Sequence, residues 1–140
     1  MPPNPTAPGD ELQVKWSKEP AQHDYPAAAS YLSLVAPHDE VDDLVSRLQA
    51  APVTTHKAKD ILRASGLRLL PMDDQHVLDD LRKIDQGVAL SPVLLVRGQI
   101  VHGVPAQIAD GYHRVCASYH LAENTDIPAR IVDLKEPVGP

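Results

Sequence analysis

The chain has 140 residues, which is the length of one ordinary domain. Apolar residues make up 43% and charged residues 23%, close to the average of folded proteins, so an entirely disordered chain is excluded. A net charge of −6 and only 4% aromatic residues disfavour binding of nucleic acid through a basic surface or through stacked aromatic side chains.

The single cysteine, Cys116, excludes an internal disulfide bond and a zinc site built from several cysteines. The longest apolar runs, such as residues 92–96, are far shorter than the roughly 18 residues that a membrane-spanning helix needs. The proline-rich beginning also lacks the basic and then apolar order of a signal peptide. We therefore expect a cytoplasmic protein without a membrane partner.

The first 23 residues are predicted to form a flexible tail. Residues 1–9 contain four of the fourteen prolines and almost no apolar side chains, so burial cannot offset the entropy lost on ordering. From residue 24 to residue 35, small and apolar residues follow one another, and this pattern fits a short strand or a helix.

Residues 24–66 are expected to form an N-terminal helical extension. Four apolar residues recur at helical spacing and predict a helix that ends by Pro52. These four residues are Val41, Leu44, Val45 and Leu48. A second helix is predicted to begin at a cap on Thr54 or Thr55 and to end at Gly66.

After Gly66, strands and helices alternate. The predicted strands cover residues 67–70, 92–96, 107–109 and 128–134. The predicted helices run from a cap on Asp73 or Asp74 to Gly87, and over residues 112–122. This order predicts an α/β (α+β) fold with a small mixed β-sheet and flanking helices, in which residues 67–136 pack as one domain with the extension.

The turn at residues 110–114, with the sequence D-G-Y-H-R, is the most informative segment. A strand that runs through Gly111 into a helix exposes backbone N–H groups at the positive end of the helix dipole, and the missing side chain lets a phosphate approach. Arg114 offers a planar donor fork to phosphate oxygens, and His113 can carry charge or move a proton. Asp110 would repel a bare phosphate unless it holds Mg²⁺ or takes a proton from an incoming hydroxyl group.

A simpler interpretation of the same turn has no ligand. In that case Asp110 caps the helix, Gly111 relieves a tight turn, and His113 and Arg114 are solvated.

Three residues of the predicted last helix have the side-chain types of a metal site. His113, Cys116 and His120 share one helix face, and imidazole and thiolate groups suit zinc. Such spacing arises readily by chance, and cysteine is more often a small buried hydrophobic residue, so we expect no metal at these positions.

Residues 67–134 resemble the ParB/sulfiredoxin-like superfamily, and the resemblance covers about half of the chain. It rests on a strand that ends near Pro71, a helix that ends at Gly87, the strand at residues 92–96, a hairpin into residues 108–111, the His113-Arg114 helix and a strand after Pro128. This resemblance implies the same small mixed sheet.

The resemblance also implies that the turn binds the phosphates of a nucleotide, which is ATP in sulfiredoxins, ATP or ADP in free-serine kinases and CTP in ParB. The residues that would inherit this role are Gly111, Tyr112, His113 and Arg114. We therefore expect ATP or CTP, together with Mg²⁺, as the bound group.

Departures from the family restrict the activity. Sulfiredoxins carry their nucleophilic cysteine directly before the His-Arg pair, where this chain has Tyr112, so reduction of sulfinic acids is not expected. ParB proteins have Glu and Arg where this chain has Tyr112 and His113. The D-G-H-H-R pattern of the free-serine kinases is closest, but their catalytic glutamate follows the first strand, where Asp73 or Asp74 could substitute. The candidate catalytic residues are accordingly Asp110, His113 and Asp73.

The leading hypothesis is a nucleotide-dependent phosphotransferase or hydrolase that uses this turn as its phosphate site, with a small hydroxyl-bearing acceptor. The second hypothesis is a non-catalytic nucleotide-sensing or protein-interaction module, in which the extension serves a partner or a homodimer. The third is a ParB-like nuclease or DNA-associated protein, and the acidic charge balance argues against nucleic acid as a partner.

Overall fold

The computed structural model describes residues 13–134, so positions 1–12 of the predicted tail and 135–136 of the predicted domain lie outside the described residues. Within this range the chain forms five α-helices and a four-stranded sheet, which confirms the predicted mixed α/β class. The helices are α1 (Asp24–Leu32), α2 (His38–Ala50), α3 (Ala58–Ser65), α4 (Gln75–Asp85) and α5 (Tyr112–Leu121). The strands are β1 (Val53–Lys57), β2 (Val93–Val96), β3 (Gln107–Asp110) and β4 (Asp126–Val132), and a 3₁₀ turn covers Ile100–His102.

The sheet has the strand order β1-β4-β2-β3. β4 pairs with β1 in antiparallel and with β2 in parallel orientation, and β2 pairs with β3 in antiparallel orientation. Asp110, the last residue of β3, lies opposite Leu94 of β2. The strand-to-helix turn after β3 is therefore placed beside the beginning of β2.

Strand β2 is buried on both sides because helices cover both faces of the sheet. Leu94 and Val96 pack in the core with α1 and α2, while Val93 and Leu95 pack in the core with α3, α4 and α5. All four residues of the strand are buried. Strand β2 was predicted from a run of apolar residues without polar alternation. This run is explained by the two cores, because both faces of the strand are buried.

Several other predicted elements are confirmed. The helix predicted before Pro52 is α2, the helix predicted over residues 112–122 is α5, and the strands predicted at 107–109 and 128–134 correspond to β3 and β4. The side chain of Asp74 caps α4. The stretch at residues 24–35, which fitted a strand or a helix, contains α1.

The predicted helix cap at Thr54 or Thr55 is wrong. Val53–Lys57 is strand β1, which pairs with β4, and α3 begins only at Ala58. Both threonines are β-branched and suit a strand, but the strand that pairs with them lies far along the chain. The segment expected to form a helical extension therefore also supplies an edge strand of the sheet.

The predicted strand at residues 67–70 is also wrong, because this segment is irregular. Its carbonyl groups bind side chains of α5: the Tyr112 hydroxyl donates to the Arg68 carbonyl at 2.6 Å, and His120 Nε2 lies 2.7 Å from the Leu70 carbonyl oxygen.

The expectation of a flexible tail is wrong for residues 13–23, because this described part is held against Leu90 in the segment before β2. The Leu90 amide donates to the Lys15 carbonyl and the Ser17 amide donates to the Leu90 carbonyl, both at 2.8 Å, and Trp16 packs against the core. Among residues 13–134 the longest helix has 13 residues, and none combines the length and apolar character that crossing a membrane requires.

Candidate functional site

A cavity of about 510 Å³, which we call the α5 cavity, lies between the beginnings of α5 and α1, the polar face of α4 and the segment before β2. Its charged and imidazole side chains are His23, Asp24, His76, Asp79, Asp80, Lys83, Asp110, His113 and Arg114. The sequence-predicted residues Asp110, Gly111, His113 and Arg114 are thus brought together at one cavity, whereas Tyr112 and Asp73 do not line it.

Gly111 is the N-cap of α5 and has a positive φ of 110°. A Cβ atom at this position would overlap the side chain of Val93 in β2. The missing side chain therefore makes room for Val93 and for the left-handed backbone, a reason the sequence did not give, and phosphate approach at this turn stays a prediction.

The first turn of α5 has no side-chain cap. Among the described residues, no acceptor is found for the backbone N–H groups of Tyr112, His113 and Arg114. These groups point out of the N-terminal end of the helix, where the helix dipole is positive. Since Gly111, His113 and Arg114 line the α5 cavity, this end of the helix opens into it.

Arg114 is a largely buried ion-pair partner, with 12% of its side chain exposed. Its guanidinium pairs with Asp110, and its Nη1 atom lies 3.4 Å from Asp24 Oδ2. The same nitrogen donates to the Ser91 carbonyl at 2.7 Å. The alternative in which Asp110 caps the helix and Arg114 is solvated is therefore wrong, since the two side chains bind each other.

Asp24 was not recognised from the sequence because it lies at the beginning of a stretch whose secondary structure was ambiguous. It is buried, and its Oδ2 accepts hydrogen bonds from the Ser91 hydroxyl at 2.7 Å and from the Ala21 amide at 3.1 Å. Burial raises the pKa of Asp110, Arg114 opposes this rise, and the neighbouring Asp24 carboxylate adds to it. The two carboxylates and Arg114 form one buried network that joins α1, β3 and α5.

Helix α4 contributes the other polar wall. Asp79, Asp80 and Lys83 line the cavity, and Lys83 Nζ lies 4.0 Å from Asp80 Oδ1. Burial raises the pKa of Asp80, and Lys83 partly offsets this rise. In the sequence these residues belong to the polar face of an amphipathic helix. The sequence pattern therefore does not distinguish them from ordinary solvent-exposed charges.

His113 projects from the first turn of α5, with 40% of its side chain exposed. Its Nε2 atom lies 4.0 Å from Asp74 Oδ1, and its ring centroid is 4.8 Å from that of His76. Asp74 Oδ1 also accepts the amides of His76 at 3.0 Å and Val77 at 3.1 Å, and the Val77 bond is the main reason that the pKa of Asp74 is lowered. Of the two aspartates considered for a catalytic role, Asp74 therefore faces His113, and Asp73 is exposed.

The other candidate residues of α5 point elsewhere. The Tyr112 hydroxyl is bonded to the carbonyl of Arg68, and His120 is bonded to the carbonyl of Leu70. Cys116 is fully buried, and burial raises the pKa of its thiol. Within the described part of the chain, no group of three or more His, Cys, Asp or Glu side chains is arranged to hold a metal ion by itself.

The fixed charges of the α5 cavity are predominantly negative. Four carboxylates line it, and they face only Lys83 and Arg114 as permanent cations. Asp24 and Asp110 are paired with Arg114, Lys83 pairs with Asp80, and Asp79 accepts a hydrogen bond from Gln75 at 2.9 Å. Such a cavity disfavours a bare phosphate and suits an anion that arrives together with a divalent cation.

No family model, no curated protein and no solved structure matches the chain. The resemblance to the ParB/sulfiredoxin-like superfamily therefore stays a prediction.

Proposed function

We propose that the α5 cavity binds a nucleoside triphosphate, ATP or CTP, as its Mg²⁺ complex, and that the protein is a nucleotide-dependent phosphotransferase or hydrolase. The observation that carries this proposal is the uncapped beginning of α5, which opens into a cavity that also contains a lysine and two carboxylates outside the Arg114 network.

The phosphate groups are assigned to the beginning of α5. The N–H groups of residues 112–114 supply hydrogen-bond donors at the positive end of the helix dipole, which is a common arrangement for anion binding. Lys83 adds positive charge from the α4 side of the cavity. For Arg114 we assign a positioning role at the turn rather than the predicted phosphate contact, and its contacts with Asp24, Asp110 and Ser91 support this assignment.

The donor set of α4 fits Mg²⁺. This ion is usually held by one or two carboxylates together with phosphate oxygens and water, so a complete protein cage is not needed. Asp79 and Asp80 are the carboxylates of the cavity that form no ion pair with Arg114. When bound there, Mg²⁺ would neutralise part of the charge that develops on the transferred phosphoryl group.

His113 is the group best placed to accept a proton. It lines the cavity, is partly exposed and has the Asp74 carboxylate 4.0 Å from its Nε2 atom. The hydroxyl oxygen of a small acceptor, or of water, attacks the γ-phosphorus while its proton moves to His113. The bond to the bridging oxygen breaks, and the nucleoside diphosphate leaves.

Calorimetric titration of the full chain with ATP and CTP, with and without Mg²⁺, tests nucleotide binding. We expect binding that needs Mg²⁺ and that weakens by roughly tenfold or more in Lys83→Ala, as for loss of a hydrogen bond to a charged group. Lys59→Ala, which removes the same charge from α3 outside the cavity, is the matched control and should change affinity by less than about twofold. Absence of binding to both nucleotides, or equal effects of both variants, would overturn the proposal.

Phosphate release separates binding from turnover. His113→Asn should lower the rate by roughly 10²-fold or more, as expected for loss of a general base, and change nucleotide affinity only a few-fold. Nucleotide binding by the parent protein without any phosphate release, with or without small hydroxyl compounds, would refute the enzyme hypothesis. The hypothesis of a nucleotide-sensing module would then remain.

A further inference from the structure

A second concave surface, which we call the α3 groove, has a volume of about 610 Å³ and shares no residue with the α5 cavity. The sheet forms its floor, with Leu95, Ile108 and Ile131. One wall is α3, and the other is the connection between β2 and β3, residues 98–106. The lining is predominantly aliphatic, and the charged side chains beside it are Asp60 and Arg97.

The connection beside the α3 groove ends in an exposed apolar tip. Ile100 is 95% exposed and Val101 is 87% exposed, and both lie in the 3₁₀ turn. Two backbone hydrogen bonds between Gln99 and Val104, of 2.9 and 3.0 Å, close this turn. The tip is therefore presented in an ordered conformation, so little entropy is lost when a partner covers it.

The tip and the α3 groove belong to one continuous patch, because Ile100 also lines the groove. A partner that fits this patch must supply aliphatic side chains for the groove and an aliphatic surface for the tip. A second copy of the same patch supplies both, which is the condition for a two-fold symmetric contact. We propose that the chain forms a homodimer in which the tip of each protomer, Ile100 and Val101, packs in the α3 groove of its partner.

The charges of the patch also favour a second copy of this chain as its partner. Asp60 and Arg97 have opposite signs and both line the groove. Asp60 has no ion-pair partner within residues 13–134, and Arg97 uses its Nε atom for Asp133, at 2.6 Å. A two-fold axis through the patch brings Asp60 of one protomer towards Arg97 of the other twice, so the patch is complementary to itself in charge as well as in shape.

Sedimentation velocity of the full chain over a series of concentrations tests this dimer. We expect a reversible monomer–dimer equilibrium, with a dissociation constant that rises by about tenfold or more in Ile100→Asp. Leu34→Asp is the matched control, because Leu34 is 83% exposed but lies outside the patch. A parent protein that stays monomeric at all concentrations, or a dimer that Ile100→Asp does not weaken, would overturn the proposal.

A charge exchange tests the two-fold geometry. Asp60→Arg alone and Arg97→Asp alone place like charges opposite each other in their homodimers and should weaken association. An equimolar mixture of the two variants restores both opposite-charge pairs in the heterodimer, so association should return towards that of the parent. A mixture that associates no better than the single variants would exclude this contact. These variants leave the α5 cavity intact, so nucleotide titrations of each remain as in the parent whether or not the protein dimerises.

Discussion

The α5 cavity and the α3 groove have similar volumes, about 510 and 610 Å³, but opposite linings. Four carboxylates, two cations and three histidines surround the cavity, whereas the groove is mostly aliphatic. Each contains an arginine, an aspartate and a glycine with positive φ: Arg114, Asp80 and Gly111 in the cavity, and Arg97, Asp60 and Gly103 in the groove. The comparison shows that the contribution of an arginine, aspartate or glycine to stability and binding depends on its burial and its contacts, rather than on residue type alone.

The arginines should show the largest difference. Arg114→Leu leaves Asp24 and Asp110 buried without their cation, and we expect a loss of about 3–5 kcal/mol in the free energy of unfolding. Arg97→Leu removes an exposed ion pair with Asp133 and should cost less than about 1 kcal/mol. Urea denaturation measures both values, in an Ile100→Asp background so that association does not contribute. Similar losses for the two variants would show that the Arg114 network is not buried as described.

The glycines should differ by less. Gly111→Ala puts a Cβ atom onto Val93 at a φ of 110°, and the combined backbone and packing cost is expected to be about 2–4 kcal/mol. Gly103→Ala has a φ of 69° with nothing within 4 Å of the added atom, so only the backbone term of about 1 kcal/mol applies. Thermal unfolding followed by circular dichroism compares them, and equal costs would contradict the close packing of Gly111 on β2.

Replacement of an aspartate should have the smallest effect on stability. In the α5 cavity, however, replacement of Asp80 should have a large effect on nucleotide binding. Burial raises the pKa of Asp80, so the folded protein holds this proton to higher pH than the unfolded chain. The free energy of unfolding therefore falls as pH rises from the unfolded pKa, about 3.9, through the folded pKa. Asp80→Asn removes this fall and should stabilise the protein slightly at pH 7, by less than about 1 kcal/mol because the side chain is partly solvated.

The same Asp80→Asn variant should weaken binding of the Mg²⁺–nucleotide complex by about tenfold or more, since a carboxylate ligand is lost. Asp60→Asn in the groove is the matched control and should leave nucleotide affinity unchanged. Unfolding curves between pH 4 and pH 8 and calorimetric titration check the two halves of this prediction. An Asp80→Asn variant that binds the nucleotide as tightly as the parent would remove Asp80 from the proposed ion site.

Local patterns predicted much of the fold and part of the candidate site. The helical spacing of α2, the cap of α4 at Asp74 and the apolar run of β2 were recognised because their causes lie within a few neighbouring residues. The turn through Gly111 into α5 was recognised for the same reason. These elements already place His113 and Arg114 at the beginning of a helix that follows a strand.

The tertiary structure decided the features whose causes lie far apart in the chain. β1 is a strand because β4 pairs with it, whereas the carbonyl groups of Arg68 and Leu70, in the irregular segment 67–70, bind side chains of α5. Asp110 binds Arg114 rather than the helix end, since Asp24 and Ser91 hold the guanidinium on the same side. A sequence determines which groups a residue carries and its local conformation, but hydrogen-bond partners and desolvation depend on segments that only folding brings together.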